Sequence, residues 1–261
     1  MTDIARIFIT GSSDGLGQMA ARLLIATGHT VALHARNDAR GRDAIAAVPG
    51  AEAVVIGDLT RIAEMRGVAE QVNALGPFDA VIHNAAVGFR ERRRIVTEDG
   101  LSHVFAVNTL APYLLTALIG RPKRLVYVSS ELHRRGDQSL ADLNWDNRPW
   151  RGNAAYSDTK LHIALLAYAV ARRWPDVRSN AMEPGWVATK MGGPHASGDL
   201  DAAHRTQAWL ATSNDPAVDV TGGYFYHLHP RKPSGAVIDI QQQEKLLAAC
   251  ERLCGVRLPD A

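Results

Sequence analysis

The sequence predicts an α/β fold: a doubly wound, Rossmann-type parallel sheet of about seven strands with helices on both faces. Short apolar runs alternate with longer segments of helical periodicity along the chain. A glycine-rich turn joins the first run to the first helical segment, and small or polar residues follow several later runs. Ligands of a doubly wound sheet bind at this edge, so these residues form the predicted site.

The first unit of the chain combines a strand, a glycine turn and a helix. The strand is predicted over 4–10, the helix continues through Ile25, and Gly28 ends it before a second strand over 30–35. Such a turn lets the backbone approach a diphosphate, whose charge is favoured at a helix start. A purely structural turn is the alternative. The predicted cofactor-binding residues of the turn are Gly11, Ser12, Ser13, Asp14, Gly15, Leu16 and Gly17.

The end of the second strand predicts the choice of cofactor. An acidic residue there binds the 2′-hydroxyl of NAD(H), whereas a basic residue accommodates the 2′-phosphate of NADP(H). Arg36 stands where the acid would be, followed by Asn37. A guanidinium pairs well with phosphate oxygens. We therefore predict that NADP(H) is preferred and NAD(H) is possible, with a solvated loop arginine as the alternative interpretation.

Two further strands end in residues suited to the same cofactor. The strand over 53–56 is followed by Asp58 and Leu59, and Asp58 would bind the adenine amino group or cap the helix predicted over 61–75. The strand over 78–83 is followed by small residues that let a ligand lie close. These cofactor-binding candidates are Asn84, Ala85 and Ala86.

The next two elements each contribute one polar side chain. A helix predicted over 101–119 carries Asn108 among apolar neighbours, where an amide is unfavourable unless it is hydrogen-bonded. A satisfied core amide is the common explanation. The strand over 124–129 delivers Ser130 to the ligand-binding edge of the sheet.

A later helix carries the strongest chemical signal. Tyr156 and Lys160 lie four residues apart in an apolar segment that ends before Pro175, so their side chains share one face. A cation about 4 Å from a phenol lowers the phenol pKa by up to about three units at an effective dielectric near 20. That change brings a tyrosine toward the range of efficient proton transfer. A surface pair is the alternative.

The remaining segments are predicted to complete the sheet and cover the site. A strand over 177–182 leads into a turn with four cofactor-binding candidates, namely Pro184, Gly185, Val187 and Thr189. The glycine-rich stretch 191–199 has the composition of a mobile loop, and with the helix over 201–212 it forms the predicted substrate loop. A strand over 223–226 and an amphipathic helix over 241–254 complete a single domain spanning 1–261.

Composition and charge exclude several classes of function. A net charge of +2 is too small to indicate nucleic acid as a partner. Cys250 and Cys254 have no partners at metal-binding spacing, so no metal site is predicted. The sequence has no signal peptide and no apolar stretch near the ~18 residues that span a bilayer. We therefore predict a soluble, cytoplasmic protein that acts on a small molecule without binding a membrane, with a homo-oligomer possible.

Together, these motifs resemble the short-chain dehydrogenase/reductase family over nearly the full length. The 10–17 segment is similar to its TGxxxGxG loop, the 84–86 segment to its NAG motif with Ala86 in place of glycine, and the 184–189 segment to its PGxxxT motif. The residues that match its catalytic tetrad are Asn108, Ser130, Tyr156 and Lys160.

The resemblance implies a role for each residue of this tetrad. Ser130 binds the substrate oxygen and Tyr156 exchanges its proton. Lys160 lowers the phenol pKa and binds the nicotinamide ribose, while Asn108 holds a relay water. The implied function is an NADP(H)-dependent oxidoreductase that moves hydride between nicotinamide and a carbonyl or alcohol.

Several segments resemble the retinol dehydrogenase-like branch of the family. They are the long interval from Ser130 to Tyr156, the Leu132-His133 pair, the 142–144 stretch, the 221–225 stretch and the tail helix. Two other functions compete with an oxidoreductase. A catalytically silent, nucleotide-sensing regulator would carry a damaged tetrad, and a sugar-nucleotide epimerase would carry TGxxGxxG and a larger C-terminal domain.

The expected substrate is a medium-sized apolar aldehyde or ketone. Trp145, Trp150, Trp186 and the 191–199 loop are expected to shape an apolar, lidded pocket. The alternative is that Trp145 and Trp150 only pack the long connection onto the protein. His133, Arg134 and Arg135 lie close enough to Ser130 in sequence to keep a clamp for a phosphate or carboxylate, and hence an anionic substrate, open.

Overall fold

The computed structural model describes residues 4–260, which contain one eight-stranded sheet. The ends of the predicted domain, residues 1–3 and 261, lie outside the described residues. The strands are β1 (Arg6–Ile9), β2 (Thr30–Ala35), β3 (Ala53–Ile56), β4 (Ala80–His83), β5 (Arg124–Val128), β6 (Arg178–Glu183), β7 (Tyr224–Tyr226) and β8 (His229–Pro230).

The order of the strands is that of a doubly wound sheet. It runs β3-β2-β1-β4-β5-β6-β7-β8, and every neighbouring pair from β3 to β7 is parallel. The chain reverses its direction of growth between β1 and β4, which creates a crevice at the carboxyl ends of these strands. The predicted fold class is confirmed, and the antiparallel β8 is an additional strand.

Helices cover both faces of the sheet. They are α1 (Gly15–Ala26), α2 (Asp38–Ala47), α3 (Ile62–Leu75), α4 (His103–Phe105), α5 (Ala111–Leu118), α6 (Gly152–Arg173), α7 (Leu200–Thr212), α8 (Gly235–Ile238) and α9 (Ile240–Cys254). Phe8 of β1 points to the core beneath α3, α5, α6 and α9, while Ile7 and Ile9 point to the core beneath α1, α2 and α7. This alternation follows from the period of two along a strand.

Three helical regions differ from the sequence prediction, and the short helix α8 is one of them. Helix α2 was not predicted, because it has few apolar residues; the Asn37 side chain caps it by accepting from the Arg40 N–H at 3.0 Å. The helix predicted over 101–119 is interrupted by a π-helical turn, Ala106–Leu110, between α4 and α5.

The predicted mobile loop 191–199 is instead folded against the turn before it. The Gly198 N–H donates to the Trp186 carbonyl at 2.7 Å, and the Trp186 indole N–H donates to the Gly192 carbonyl at 3.0 Å. A Cβ on Gly192 would lie 2.0 Å from the Val187 carbonyl oxygen. Gly192 and Gly198, whose added Cβ would lie 2.6 Å from the Trp186 carbonyl oxygen, therefore serve close packing. In the described part of the chain, no helix is both long and apolar enough to cross a membrane.

Candidate functional site

A cavity of about 630 Å³ opens at the carboxyl ends of the central strands. Its size is within the range of pockets that bind cofactors and drug-sized ligands. It extends from the glycine turn before α1, past the end of β2, to the start of α6 and the turn after β6. The cavity thus joins segments that are more than a hundred residues apart in the chain.

Most of the residues predicted for the site line this cavity. They are Gly11, Ser13, Asp14, Gly15, Leu16, Arg36, Asp58, Leu59, Asn84, Ala85, Ala86, Tyr156, Lys160, Pro184 and Thr189. Seven predicted residues lie outside the lining set, namely Ser12, Gly17, Asn37, Asn108, Ser130, Gly185 and Val187. The sequence did not single out His34, Arg40, His103, Lys190 and Met191, which also line it.

The glycines of the turn have two different structural roles. A Cβ on Gly11 would lie 2.7 Å from Ala85 Cα, and a Cβ on Gly17 would lie 2.4 Å from Asn84 Nδ2. These two glycines let the turn pack on the segment after β4. The Asn84 amide holds the turn there by donating to the carbonyls of Thr10 and Gly11 at 3.0 and 3.1 Å.

Gly15 faces open space at the start of α1. Its φ is +54°, and a Cβ there would meet nothing nearer than Thr189 Cγ2 at 3.9 Å. The free N–H groups and dipole of a helix start favour an anion in such a space. This end of the cavity therefore fits the diphosphate of a dinucleotide.

His34, at the end of β2, fixes the turn from the side of that strand. Its Nδ1 accepts from the Gly11 N–H at 3.0 Å, and its Nε2 lies 2.9 Å from the Gly57 carbonyl oxygen. The Nε2 atom must therefore carry the proton. Burial lowers the pKa of His34 to about 4, which keeps this arrangement at neutral pH.

Two arginines stand at the adenosine end of the cavity. Arg36 is exposed and has no hydrogen-bond or ion-pair partner within residues 4–260. The Arg40 guanidinium lies 3.3 Å from Ser13 Oγ and 3.4 Å from Asp14 Oδ2. Asp14 also pairs with Lys190, whose cation holds the pKa of that carboxyl below its usual range. Arg36 is thus available to a phosphate, whereas Arg40 already has an acidic partner.

Tyr156 and Lys160 lie side by side on α6 at the inner end of the cavity. The Lys160 Nζ atom is 5.3 Å from the centre of the Tyr156 ring and donates to the Val128 carbonyl at 2.9 Å. Burial raises the pKa of Tyr156 and lowers the pKa of Lys160 to about 7. Burial is the cause of the raised Tyr156 pKa, and its direction is opposite to the lowering by Lys160 that the sequence predicted.

Asn108 lies behind this pair, within the π-helical turn. Its Oδ1 accepts from the Val87 N–H at 2.8 Å, and its Nδ2 donates to the Val87 carbonyl at 2.9 Å and to Thr159 Oγ1 at 3.1 Å. Pro112, four residues later, has no N–H and cannot donate to the Asn108 carbonyl as an α-helix would require. The helix widens there, as π-helical turns at functional sites commonly do.

The Tyr156 hydroxyl faces an apolar wall. It donates to Met191 Sδ at 3.7 Å, and the Phe89 ring packs edge-on against the Tyr156 ring with centroids 5.6 Å apart. Ser130 caps the 3₁₀ turn Glu131–Arg135, where its Oγ accepts from the Leu132 N–H at 3.3 Å. The serine proton remains available for a further acceptor.

The tryptophans of the long connection do not reach the cavity. Trp145 is buried against Val104 and Ala155, and its indole N–H donates to the buried Asp158 carboxylate at 3.0 Å. Trp150 packs edge-on against Trp145. Their placement in the substrate pocket was wrong, and the alternative of packing the connection onto α6 is correct.

Comparisons with known proteins agree with this geometry. Residues 5–134 match the family model described as short chain dehydrogenase. An uncharacterized oxidoreductase of Emericella nidulans is 47% identical over 98% of this chain and 99% of that protein. A short-chain dehydrogenase of Gibberella zeae is 42% identical over the same shares.

More distant similarity extends to a human enzyme and to a solved structure. Human retinol dehydrogenase 13 is 29% identical over 97% of this chain and 85% of its own length. The crystal structure of an uncharacterized protein from Mycobacterium paratuberculosis superposes with a TM-score of 0.84. It covers 98% of this chain and 95% of its own chain at 27% identity.

Proposed function

The chain belongs to the short-chain dehydrogenase/reductase family, as an enzyme of its retinol dehydrogenase-like branch, and from this we propose that it is an NADP(H)-dependent reductase of medium-sized apolar aldehydes and ketones. The observation that carries the proposal is the buried Tyr156–Lys160 pair at the inner end of a cavity that begins at the glycine turn. A proton donor and a dinucleotide-sized space thus meet in one crevice.

Ser130, Tyr156 and Lys160 of the tetrad each have a proposed task. A bound nicotinamide supplies the hydride. Ser130 donates a hydrogen bond to the substrate oxygen, and Tyr156 transfers its proton to that oxygen as negative charge develops. The raised pKa of Tyr156 keeps the phenol protonated, as a general acid requires. Lys160, when charged, stabilises the phenolate that remains.

Arg36 supports the preference for NADP(H). It lines the cavity directly after β2 with its guanidinium unpaired within the described residues, so no ion pair must break when a 2′-phosphate binds. Arg40 would have to share its charge between Asp14 and the phosphate. We assign the larger share of phosphate recognition to Arg36.

The surroundings of the Tyr156 hydroxyl support an apolar substrate. Met191 accepts from the hydroxyl, Phe89 packs against the Tyr156 ring, and Val107 lines the same cavity. Neither Arg134 nor Arg135 lines the cavity, so the apolar substrate is favoured over the anionic alternative. A thioether and an aromatic edge favour a carbonyl flanked by apolar groups.

A screen of carbonyl compounds tests the proposal. Aromatic and aliphatic aldehydes and ketones, together with sugars and keto acids, are mixed with NADPH or NADH while absorbance of the reduced cofactor is followed. We expect the highest kcat/KM with NADPH and a medium-sized apolar carbonyl. Turnover of sugars or keto acids in preference, or no turnover of any carbonyl or alcohol, would contradict it.

A further inference from the structure

Two residues that mark the branch resemblance meet in space behind Ser130. His133 follows β5 and Tyr224 lies on β7, yet His133 Nδ1 is 3.1 Å from the Tyr224 hydroxyl and their ring centroids are 4.7 Å apart. His133 and Tyr224 are only 1% and 2% exposed. Neither lines the cavity, so the proposed reaction leaves both unexplained.

The contacts of His133 determine which ring nitrogen carries the proton. Its Nε2 is 3.0 Å from the Ser234 N–H and must accept from it. The proton therefore lies on Nδ1, which donates to the Ser130 carbonyl oxygen at 2.7 Å. One imidazole thus bonds the main chain of Ser130 on one side and the segment after β8 on the other.

Tyr224 connects this histidine to a buried carboxylate. Its hydroxyl donates to Glu183 Oε2 at 2.9 Å, and Arg231 pairs with the other oxygen of Glu183. Glu183 is 1% exposed and ends β6, directly before Pro184 and the turn that lines the cavity. The chain from Glu183 through Tyr224 to His133 therefore joins that turn to Ser130.

We propose that His133 is a positioning residue that acts through Ser130, with Tyr224 and Glu183 holding its ring in place. The inference rests on the proposed function, in which the Ser130 hydroxyl binds the substrate oxygen. Ser130 stands where β5 ends and a short 3₁₀ turn begins, and its carbonyl oxygen accepts from the main-chain N–H of His133 at 3.0 Å as well as from the His133 ring at 2.7 Å. The ring therefore adds a second, shorter bond at the oxygen that starts the turn. A displacement of about 1 Å at such a position can cost catalysis about a hundredfold.

Two substitutions separate the two hydrogen bonds of His133. His133→Asn keeps a donor near the position of Nδ1, facing Ser130, and loses the acceptor for Ser234. His133→Gln keeps an acceptor near the position of Nε2, facing Ser234, and loses the donor to Ser130. We expect His133→Gln to lower kcat at least tenfold with an unchanged Kd for NADPH, whereas His133→Asn retains at least a third of kcat.

A cycle with Ser130→Ala tests whether His133 acts through the serine. If it does, His133→Gln lowers kcat no further in the Ser130→Ala background. The proposal would be overturned if His133→Gln lowered kcat by the same factor in the unmodified protein and in the Ser130→Ala variant. Full activity of His133→Gln would also overturn it. Tyr224→Phe should lower kcat several-fold, while Tyr127→Phe, which removes a buried hydroxyl bonded to Thr116, should not.

Amide hydrogen exchange gives a readout without turnover. The Leu132 N–H donates to Ser130 Oγ, so its exchange reports on the serine in the free protein. We expect faster exchange over 130–136 in His133→Gln than in His133→Asn, and the reverse order would overturn the inference. If the unmodified protein turned over no carbonyl or alcohol, the proposed function would be wrong. The hydrogen-exchange comparison of the two His133 variants would still test the positioning of Ser130, because it needs no substrate.

Discussion

The Tyr156 hydroxyl donates a hydrogen bond to the sulfur of Met191, which lies 3.7 Å from the phenol oxygen. A substrate oxygen that receives the tyrosine proton must take the place of this thioether. The contact is weak for a hydrogen bond, so the exchange costs little. The Met191 side chain should therefore limit the size of the substrate group that binds next to the reacting carbonyl.

Shortening Met191 should change substrate size preference. Met191→Ala is expected to raise kcat/KM for bulky aryl ketones relative to small aldehydes by about tenfold, because it opens space worth several methylene groups. Met191→Leu preserves the volume and serves as the matched control, with a change below about threefold. Steady-state rates for a graded series of ketones measure the shift. An unchanged ranking in Met191→Ala would exclude this residue from the substrate pocket.

Arg36 should determine cofactor preference. Arg36→Ala is expected to weaken NADPH by about 1.5–3 kcal/mol more than NADH, because a charge-assisted contact to the 2′-phosphate is lost. Arg40→Ala should have a smaller effect, since Arg40 already pairs with Asp14. Arg42→Ala, outside the cavity lining, is the control. Equal weakening of both cofactors by Arg36→Ala, measured by fluorescence titration, would refute the assignment.

Tyr156 and Lys160 should respond differently to substitution. Tyr156→Phe removes the transferable proton and keeps the ring, so turnover should fall at least a thousandfold while the Kd for NADPH changes less than about threefold. Lys160→Ala should impair both turnover and binding. Substantial turnover by Tyr156→Phe in the same assay would require a different proton donor.

The stability of the protein should decrease in mild acid because of His34. Its folded-state pKa of about 4 lies below the unfolded value of about 6.5, so the unfolded chain binds more protons between these values. The contribution of His34 to the unfolding free energy is fully present above pH 6.5. It decreases by about 1.4 kcal/mol for each pH unit between pH 6.5 and pH 4.

Urea unfolding between pH 4.5 and 7.5 measures this dependence. Buried His83 and His162, whose pKa values are lowered to about 3, add to the same slope. His34→Asn should make the slope shallower by about 1.4 kcal/mol per pH unit, because one titrating group is removed. His195→Asn, the same change at an exposed position, is the matched control. An identical slope in both variants would contradict the prediction.

The buried Asp158 should be essential for attaching the long connection to α6. Its carboxylate accepts from the Trp145 indole, the Asp137 N–H and the Arg148 guanidinium. Asp158→Asn places an amide among donors and removes the buried partner of Arg148, which still pairs with Asp137 and Asp142, so we expect about 1–3 kcal/mol lower unfolding free energy. Asp146→Asn, at an exposed position, should cost below about 1 kcal/mol. Similar losses would show that Asp158 is not the anchor.

Local patterns were sufficient to predict the sheet and the part of the site carried by strand ends. The glycine turn, Arg36 and the Tyr156–Lys160 spacing each depend on a few consecutive residues, and the structure places all of them at one cavity. The break around Asn108 had a signal that was overlooked. Pro112 lies four residues later, where its missing N–H prevents a regular helix.

Other parts of the site depend on contacts that sequence spacing does not encode. Met191 reaches Tyr156 only because the glycine-rich segment folds back on Trp186, and composition alone suggested a mobile loop. His133 and Tyr224 lie ninety-one residues apart and meet through the order of the strands. Trp145 was misplaced because an aromatic residue near a site in sequence can face either the ligand or the core.

Strand β8 has a consequence for how copies of the protein can associate. It pairs with β7 through two residues, and one of them, Pro230, has no N–H to offer a neighbouring strand. A short edge strand that contains proline offers few free main-chain N–H and C=O groups, so another strand pairs with it poorly. Growth of the sheet from one molecule into the next is therefore disfavoured at the β8 edge, which leaves the β3 edge and the helical faces as the surfaces through which copies could associate.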